Sequence, residues 1–264
     1  MPPDAFGRWL ETAFSGRIRR VDRTVLDLAR AAAYVHMDAL ELKHAAQRGD
    51  APGIRRGDDV FVFERGALHE WAQRRMIGLT DKELSAEHQA ARAERRNAGG
   101  ADFRVSTLLA ESAINPFLTA RNRGGVLRDM ADLAEATGLV YDSRTLFAEL
   151  QSREEAASTA TGGGAAFLHP RYHDPYLFED SFLAIGRAIR PVFFGSQDGE
   201  GTDIFFLICC TDHQLHLHIL ARLCLLAHGT SLLEDLRASA TAEEMRLAFV
   251  AAEDSFLLSS IPRR

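Results

Sequence analysis

His169 closes the stretch "TGGGAAFLH", residues 161–169, in which three glycines lead through a short apolar run to an imidazole followed by Pro170. Neutral imidazole carries a lone pair that can attack phosphorus, and bare glycine backbones let N–H groups approach phosphate oxygens. That chemistry needs a charge partner nearby. The stretch "HQLHLHILARL", residues 213–223, supplies one. A helix begun at Thr211 or Asp212 puts His216 within its first turn or so, where the positive helix end disfavours imidazolium and attracts an anion. His169 and His216 could then flank one phosphoryl group. Two other chemistries fit less well. His213, His216 and His218 with Cys209 and Cys210 suggest a metal site, but the two cysteines lie inside an apolar strand and point to opposite faces, so neither metal nor cofactor is expected. Ser158 with His169 suggests a hydrolase, but no nucleophile-elbow motif accompanies them.

The elements around these residues read as α/β. Val126, Leu127, Met130, Leu133 and Ala134 share one helix face that stops at Gly138, and "DSRTLFAELQ" is a second helix capped by Asp142 or Ser143. "SFLAIGRAI" (181–189) alternates as a strand. "IFFLICC" (204–210) is apolar throughout, as a central strand covered on both faces must be, and a helix follows it. The expected fold is a three-layer α/β arrangement over residues 105–264.

The front of the chain is organised differently. Residues 1–21 carry Phe6, Trp9, Leu10 and Phe14 at helical spacing and read as an amphipathic segment. Residues 22–78 read as helix, break at "HMD", second helix, then "IRRGDDVFVF", which alternates about a Gly-Asp-Asp turn, and a closing helix opened by Leu68 and Trp71. Residues 79–104 are charged and alanine-rich, a helical linker or arm that breaks at Asn97-Ala98-Gly99-Gly100.

Composition bounds the rest. At 264 residues, 46% hydrophobic and 26% charged, the chain can hold two domains with buried cores. The net charge of −6 is uneven, with a slightly basic front part and an acidic remainder. No secretion signal or membrane-length apolar run is visible, so a cytoplasmic location is expected. The three cysteines, two of them adjacent, read as core thiols rather than a disulfide framework.

Two family resemblances sharpen this. From about Val105 to about Phe249 the chain resembles the fructose/mannitol-type enzyme IIA domain of the phosphoenolpyruvate-dependent sugar phosphotransferase system, including its nitrogen-regulatory branch. In "REEAASTATGGGAAFLH", Arg153, Ser158, Thr159, Gly162, Gly164, Ala166 and His169 stand at the family spacing. "FFGSQDGEGTDIFFLI" matches the Phe-Gly-x-x-Asp-Gly turn through Phe194, Gly195, Asp198 and Gly199, and "HLHILARL" puts the second active-site histidine on His216. The resemblance implies a mixed-sheet fold, phosphorylation of His169 by a histidine-containing phosphocarrier protein, and stabilisation by His216 and Arg153. It also implies phosphate contacts from Ser158, Thr159, Gly162 and Gly164. The chain departs from the pattern at Leu168, where the family has proline, at Ala160 for glycine, and at Gly201 for proline. Three functions stay open: a phosphorylatable regulator, a non-catalytic sensor or scaffold, and a sugar-transport phosphoryl carrier.

Residues 26–72 resemble the excisionase-type winged helix-turn-helix domain related to the MerR regulators, through Ala31, Ala32, Tyr34, the Arg48-Gly49-Asp50 corner with Pro52, Gly57, Leu68 and Trp71. The resemblance implies DNA as a partner, contacted by Lys43, His44, Arg48, Arg55 and Arg56. Asp38, Glu41, Asp58 and Asp59 oppose it, because carboxylates repel phosphates. A protein-interaction module therefore stands beside DNA binding, and a homodimer is left open.

Overall fold

The computed structural model describes residues 24–57, 59–78, 103–171, 176–196 and 198–259. The amphipathic segment expected over 1–21, and residues 79–102 of the linker expected over 79–104, lie outside the described residues. The chain divides between Trp71 and Ala72 into two compact units.

In the first unit, β1 (Val25–Asp27) leads into α1 (Leu28–Tyr34), α2 (Ala39–Arg48), β2 (Gly53–Arg55) and β3 (Phe61–Glu64). The strands form an antiparallel sheet in the order β1-β3-β2. Local chemistry sets the helix ends. Asp27 accepts from Arg30 N at 2.8 Å to start α1, and Asp38 accepts from Leu40 N and Glu41 N to start α2. Gly49 ends α2 at φ +80, a conformation that disfavours any residue with a Cβ. The break expected at 36–38 and the β2–β3 hairpin are both present, while β1 occupies residues that the sequence assigns to the first helix. Ala31, Leu42, Phe63 and Leu68 are fully buried and form the core of this unit.

The second unit is built on a four-stranded mixed sheet. Its strands are β4 (Leu109–Leu118), β5 (Ala165–Leu168), β6 (Phe182–Val192) and β7 (Thr202–Cys209), in the order β4-β6-β7-β5. β4 runs parallel to β6 and β5 parallel to β7, and the central pair is antiparallel. Side chains alternate across β7, so its apolar run feeds two cores. Phe205, Leu207 and Cys209 pack in one cluster with Val126, Leu127 and Met130 of α4 (Arg123–Glu135) and Leu146 and Leu150 of α5 (Ser143–Ala156). On the other face Phe206 meets Phe249 of α8 (Ala242–Ser259), which packs with α6 (His213–Gly229) and α7 (Leu232–Ala238). This is the three-layer arrangement read from the sequence. Cys209 and Cys210 are buried as expected, and burial pushes both thiols up. Among the described residues no helix is long and apolar enough to cross a membrane.

Topology fixes where a site can form. β5 and β7 are parallel neighbours, so the residues that follow them emerge at the same sheet edge. Ligands in open α/β sheets bind beyond such carboxyl ends. His169 follows β5 directly, and His216 sits on α6, which begins four residues after β7 ends.

Candidate functional site

Three separate elements bring Arg153, His169 and His216 together. Arg153 lies in the last turn of α5, where its Nη1 donates to Ala157 O at 2.8 Å and satisfies a carbonyl at the helix end. From that position its Nε donates to His169 Nε2 at 2.9 Å. The His169 and His216 rings lie 4.9 Å apart between centroids, inclined at 59°. His216 is carried by the first turns of α6, a helix started by Asp212, whose carboxylate accepts from Leu215 N at 2.7 Å. All three side chains are buried.

A fourth residue joins them. α3 (Arg65–Gly78) begins in the first unit and continues into the second, which starts at Ala72, so Gln73 belongs to the same unit as the histidines. The Gln73 carboxamide lies 3.1 Å from His169 Nε2 at its Oε1 and 3.3 Å from His216 Nδ1 at its Nε2. Nothing in the sequence around Gln73 singles it out.

The hydrogen-bond geometry decides which nitrogen of His169 carries the lone pair. Its Nδ1 lies 3.0 Å from Phe167 O, which can only accept. A proton on Nδ1 satisfies that carbonyl and leaves a lone pair on Nε2, where the Arg153 Nε–H points. The opposite tautomer sets two acceptors against each other at Phe167 and two donors against each other at Arg153. The first tautomer has one mismatched pair, the amide oxygen of Gln73 against the Nε2 lone pair. A half-turn of the carboxamide cures it, giving an N–H to His169 and an oxygen to a proton on His216 Nδ1. The lone pair of His169 is therefore on Nε2, and two donors face it.

Behind this group runs a polar frame. Glu154, next to Arg153, is 3% exposed and accepts from Thr159 N at 3.1 Å and from Thr159 Oγ1 at 2.7 Å. Burial raises its carboxyl above the ordinary 4.5, opposed by those Thr159 hydrogen bonds. Ser158 Oγ donates to Phe194 O at 2.9 Å, a carbonyl that also accepts from Arg123 Nη2. The two hydroxyls thus hold the chain between α5 and β5, the segment that spaces Arg153 from His169. Gly162 and Gly164 stand elsewhere. They form the turn that precedes β5, with Thr161 N donating to Ala165 O at 2.8 Å, and roughly 16 Å of extended chain separates Gly164 from His169. A Cβ on Gly164 would lie 2.6 Å from Arg237 Nη2 and 2.9 Å from Asp203 Oδ1, so the bare backbone serves a close approach to that ion pair. Leu168, in place of the family proline, completes β5 opposite Leu207 and is buried.

The cations expected to face DNA belong to the first unit. Lys43 is ion-paired with Asp59, which also accepts from Gln47, and Arg48 pairs with Asp50. His44, Arg55 and Arg56 are exposed. Asp58 lies outside the described residues.

Comparison with known proteins places the second unit. The family model described as phosphoenolpyruvate-dependent sugar phosphotransferase system, EIIA 2, matches residues 107–250. The chain is 34% identical over 142 residues to a nitrogen regulatory protein of Bradyrhizobium diazoefficiens, covering 53% of this chain and 90% of that protein. It is 27% identical over 122 residues to a nitrogen regulatory protein of Pseudomonas aeruginosa, covering 46% of this chain and 77% of that one. The crystal structure of the nitrogen regulatory protein IIA-Ntr from Neisseria meningitidis superposes with a TM-score of 0.50 at 24% identity, over 55% of this chain and 98% of its own, a likeness of fold. Arg153, His169 and His216 fall inside the matched residues, and Gln73 falls outside them.

Proposed function

Since the chain belongs to the EIIA type 2 family of the phosphoenolpyruvate-dependent sugar phosphotransferase system, we propose that it accepts a phosphoryl group on His169 Nε2 from a histidine-containing phosphocarrier and uses it as a regulatory signal. The observation that carries this reading is the 3.0 Å contact of His169 Nδ1 with Phe167 O, a group that can only accept. That contact assigns the proton to Nδ1 and the lone pair to Nε2, the nitrogen that Arg153 faces, with the His216 ring beside it.

In the transfer, that lone pair attacks phosphorus in line with the donor's N–P bond. The new N–P bond forms as the old one breaks, and the electron pair returns to the donor imidazole, which takes up a proton. Catalysis of such a transfer is mostly positioning and charge stabilisation. Arg153 meets the phosphoryl oxygens with a guanidinium already fixed by Ala157 O, and a proton on His216 Nδ1 supplies a second donor. The names of the two nitrogen regulatory relatives support regulation over sugar transport as the outcome. The added charge of nearly two units is large enough to rearrange a buried interface.

The first unit supports a second reading. Its order of helix, turn, helix and hairpin supports the resemblance to an excisionase-type winged helix, which would take DNA or a protein as its partner. Exposed Arg55 and Arg56 at the hairpin favour phosphate contact, whereas Lys43 and Arg48 already face carboxylates.

The decisive experiment for phosphotransfer is incubation with phosphoenolpyruvate, enzyme I and a histidine phosphocarrier. The wild-type chain takes up one acid-labile phosphoryl group, His169→Ala takes up none, and His216→Ala labels slowly while remaining folded. Label on His169→Ala equal to wild type refutes the assignment.

A further inference from the structure

Gln73 sits where the phosphoryl group has to go. Its carboxamide lies 3.1 Å from His169 Nε2, on the lone pair that must attack phosphorus, and reaches His216 Nδ1 with its other end. The side chain is 1% exposed. Burying a glutamine sacrifices water at both ends of the amide and freezes a flexible side chain, so the position is favourable only while both ends are bonded. The two histidines are the partners that satisfy it. Ala72 and Met76, on the same stretch of α3, are buried as Gln73 is, while Arg74 is exposed. Gln73 is outside the residues that match the EIIA family model, whereas His169 and His216 are inside them.

We propose that Gln73 is an internal ligand of the phosphorylation site, so that its seating and phosphorylation of His169 exclude each other. The proposal rests on the phosphotransfer reading above. A phosphoryl group on Nε2 needs the position of the Gln73 carboxamide and the Arg153 and His216 donors that surround it. Withdrawal of the end of α3 takes the carboxamide away from Nε2 and leaves Arg153 to meet the incoming phosphoryl oxygens, and phosphorylation in turn expels the end of α3. The coupling is reciprocal: whatever factor seated Gln73 takes from phosphoryl affinity, phosphorylation takes from the seating of α3. Because α3 starts in the first unit, the phosphoryl state of His169 changes the anchoring of the helix that leaves that unit.

The test uses the full-length chain and phosphoramidate, a donor small enough to need no docking surface. His169 Nε2 attacks its phosphorus, the P–N bond breaks, and the electron pair and a proton leave with ammonia. Gln73→Ala takes up phosphoryl roughly tenfold faster than wild type, as expected when two competing hydrogen bonds are removed. Gln73→Glu takes it up more slowly, because its carboxylate pairs with Arg153 and repels the incoming anion. A glutamine that only supports the fold predicts slower labelling in both variants, so opposite signs are required. Phosphorylation of the wild type also raises amide hydrogen exchange across residues 72–78. Equal labelling rates in all three forms, or unchanged exchange across 72–78 in the phosphorylated protein, overturn the proposal while leaving phosphotransfer intact. Absence of label in every form overturns phosphotransfer and this proposal with it.

Discussion

Arg153→Lys separates the geometry of the site from its charge. Arg153 is 2% exposed and donates from Nε to His169 Nε2 at 2.9 Å and from Nη1 to Ala157 O at 2.8 Å. The two donors are on different nitrogens of one rigid plane, which lets one side chain close the end of α5 and face the imidazole together. Lysine keeps the positive charge, but its single ammonium on a flexible stem cannot hold both positions. Losing one hydrogen bond from a charged donor costs about 1.5–3 kcal/mol. If that loss falls on the phosphoryl oxygens in the transition state, transfer slows by roughly 10- to 150-fold. If the ammonium instead abandons Ala157 O, the cost appears as lost stability of a similar size. The assay is rapid-quench transfer from labelled phosphocarrier, run beside a denaturant titration, so that the two costs are read separately. A variant that transfers at the wild-type rate with unchanged stability refutes the role given to the guanidinium plane, since charge alone would then suffice.

Three other perturbations follow from the same contacts. Thr159→Val removes the hydroxyl that donates to buried Glu154 and costs about 1–3 kcal/mol at neutral pH. The Glu154 carboxyl is raised above 4.5 in the folded state, so the folded state binds its proton more tightly than the unfolded one, and the penalty of an ionised Glu154 fades as pH falls toward 4.5. The deficit of the variant, measured by denaturant unfolding, should therefore be smaller at acid pH than at pH 7. Glu253→Gln breaks a buried pair, because Glu253 accepts from Arg222 Nη1 at 2.9 Å and from Val105 N and Ser106 N, with both charged side chains at 0% exposure. A loss of about 3–5 kcal/mol is expected in chemical denaturation, and removing Arg222 as well does not restore it, because the two backbone N–H groups still need the carboxylate. If the first unit binds DNA, replacing Arg55 and Arg56 with alanine weakens retention across all sequences and flattens its salt dependence, whereas an unchanged salt slope marks that unit as a protein-interaction module.

Much of the second unit was legible because its signals are strong and local. The apolar run of β7, the periodic face of α4 and the Asp142 cap of α5 each follow from side-chain spacing or capping chemistry. β4 was not read, since "LAESAINPFL" mixes Glu111, Ser112 and Asn115 with apolar residues, and its exposed and buried positions do not alternate. β1 reads as part of the following helix because "VLD" runs on apolar into "LARAAAY", and only pairing with β3 makes it a strand. The site divides in the same way. His169 and His216 carry chemistry in their own type and position, and Arg153 came from the family pattern. The roles of Ser158 and Thr159 in holding the chain between α5 and β5, and the distance of the glycine turn from His169, depend on register within the fold. Gln73 had no signal at all. A single glutamine in the charged helix "RGALHEWAQRR" looks like a solvated residue, and only tertiary packing turns it inward.

The central claim is that His169 Nε2 is the phosphoryl acceptor, with Nδ1 keeping its proton for Phe167 O. Nitrogen-15 and phosphorus-31 NMR of the phosphorylated protein, with the histidines isotopically labelled, reads this directly. The account predicts a single phosphohistidine, at His169, with phosphorus coupled to Nε2 and a proton retained on Nδ1. Phosphorus coupled to Nδ1, or phosphohistidine at any other position, contradicts it.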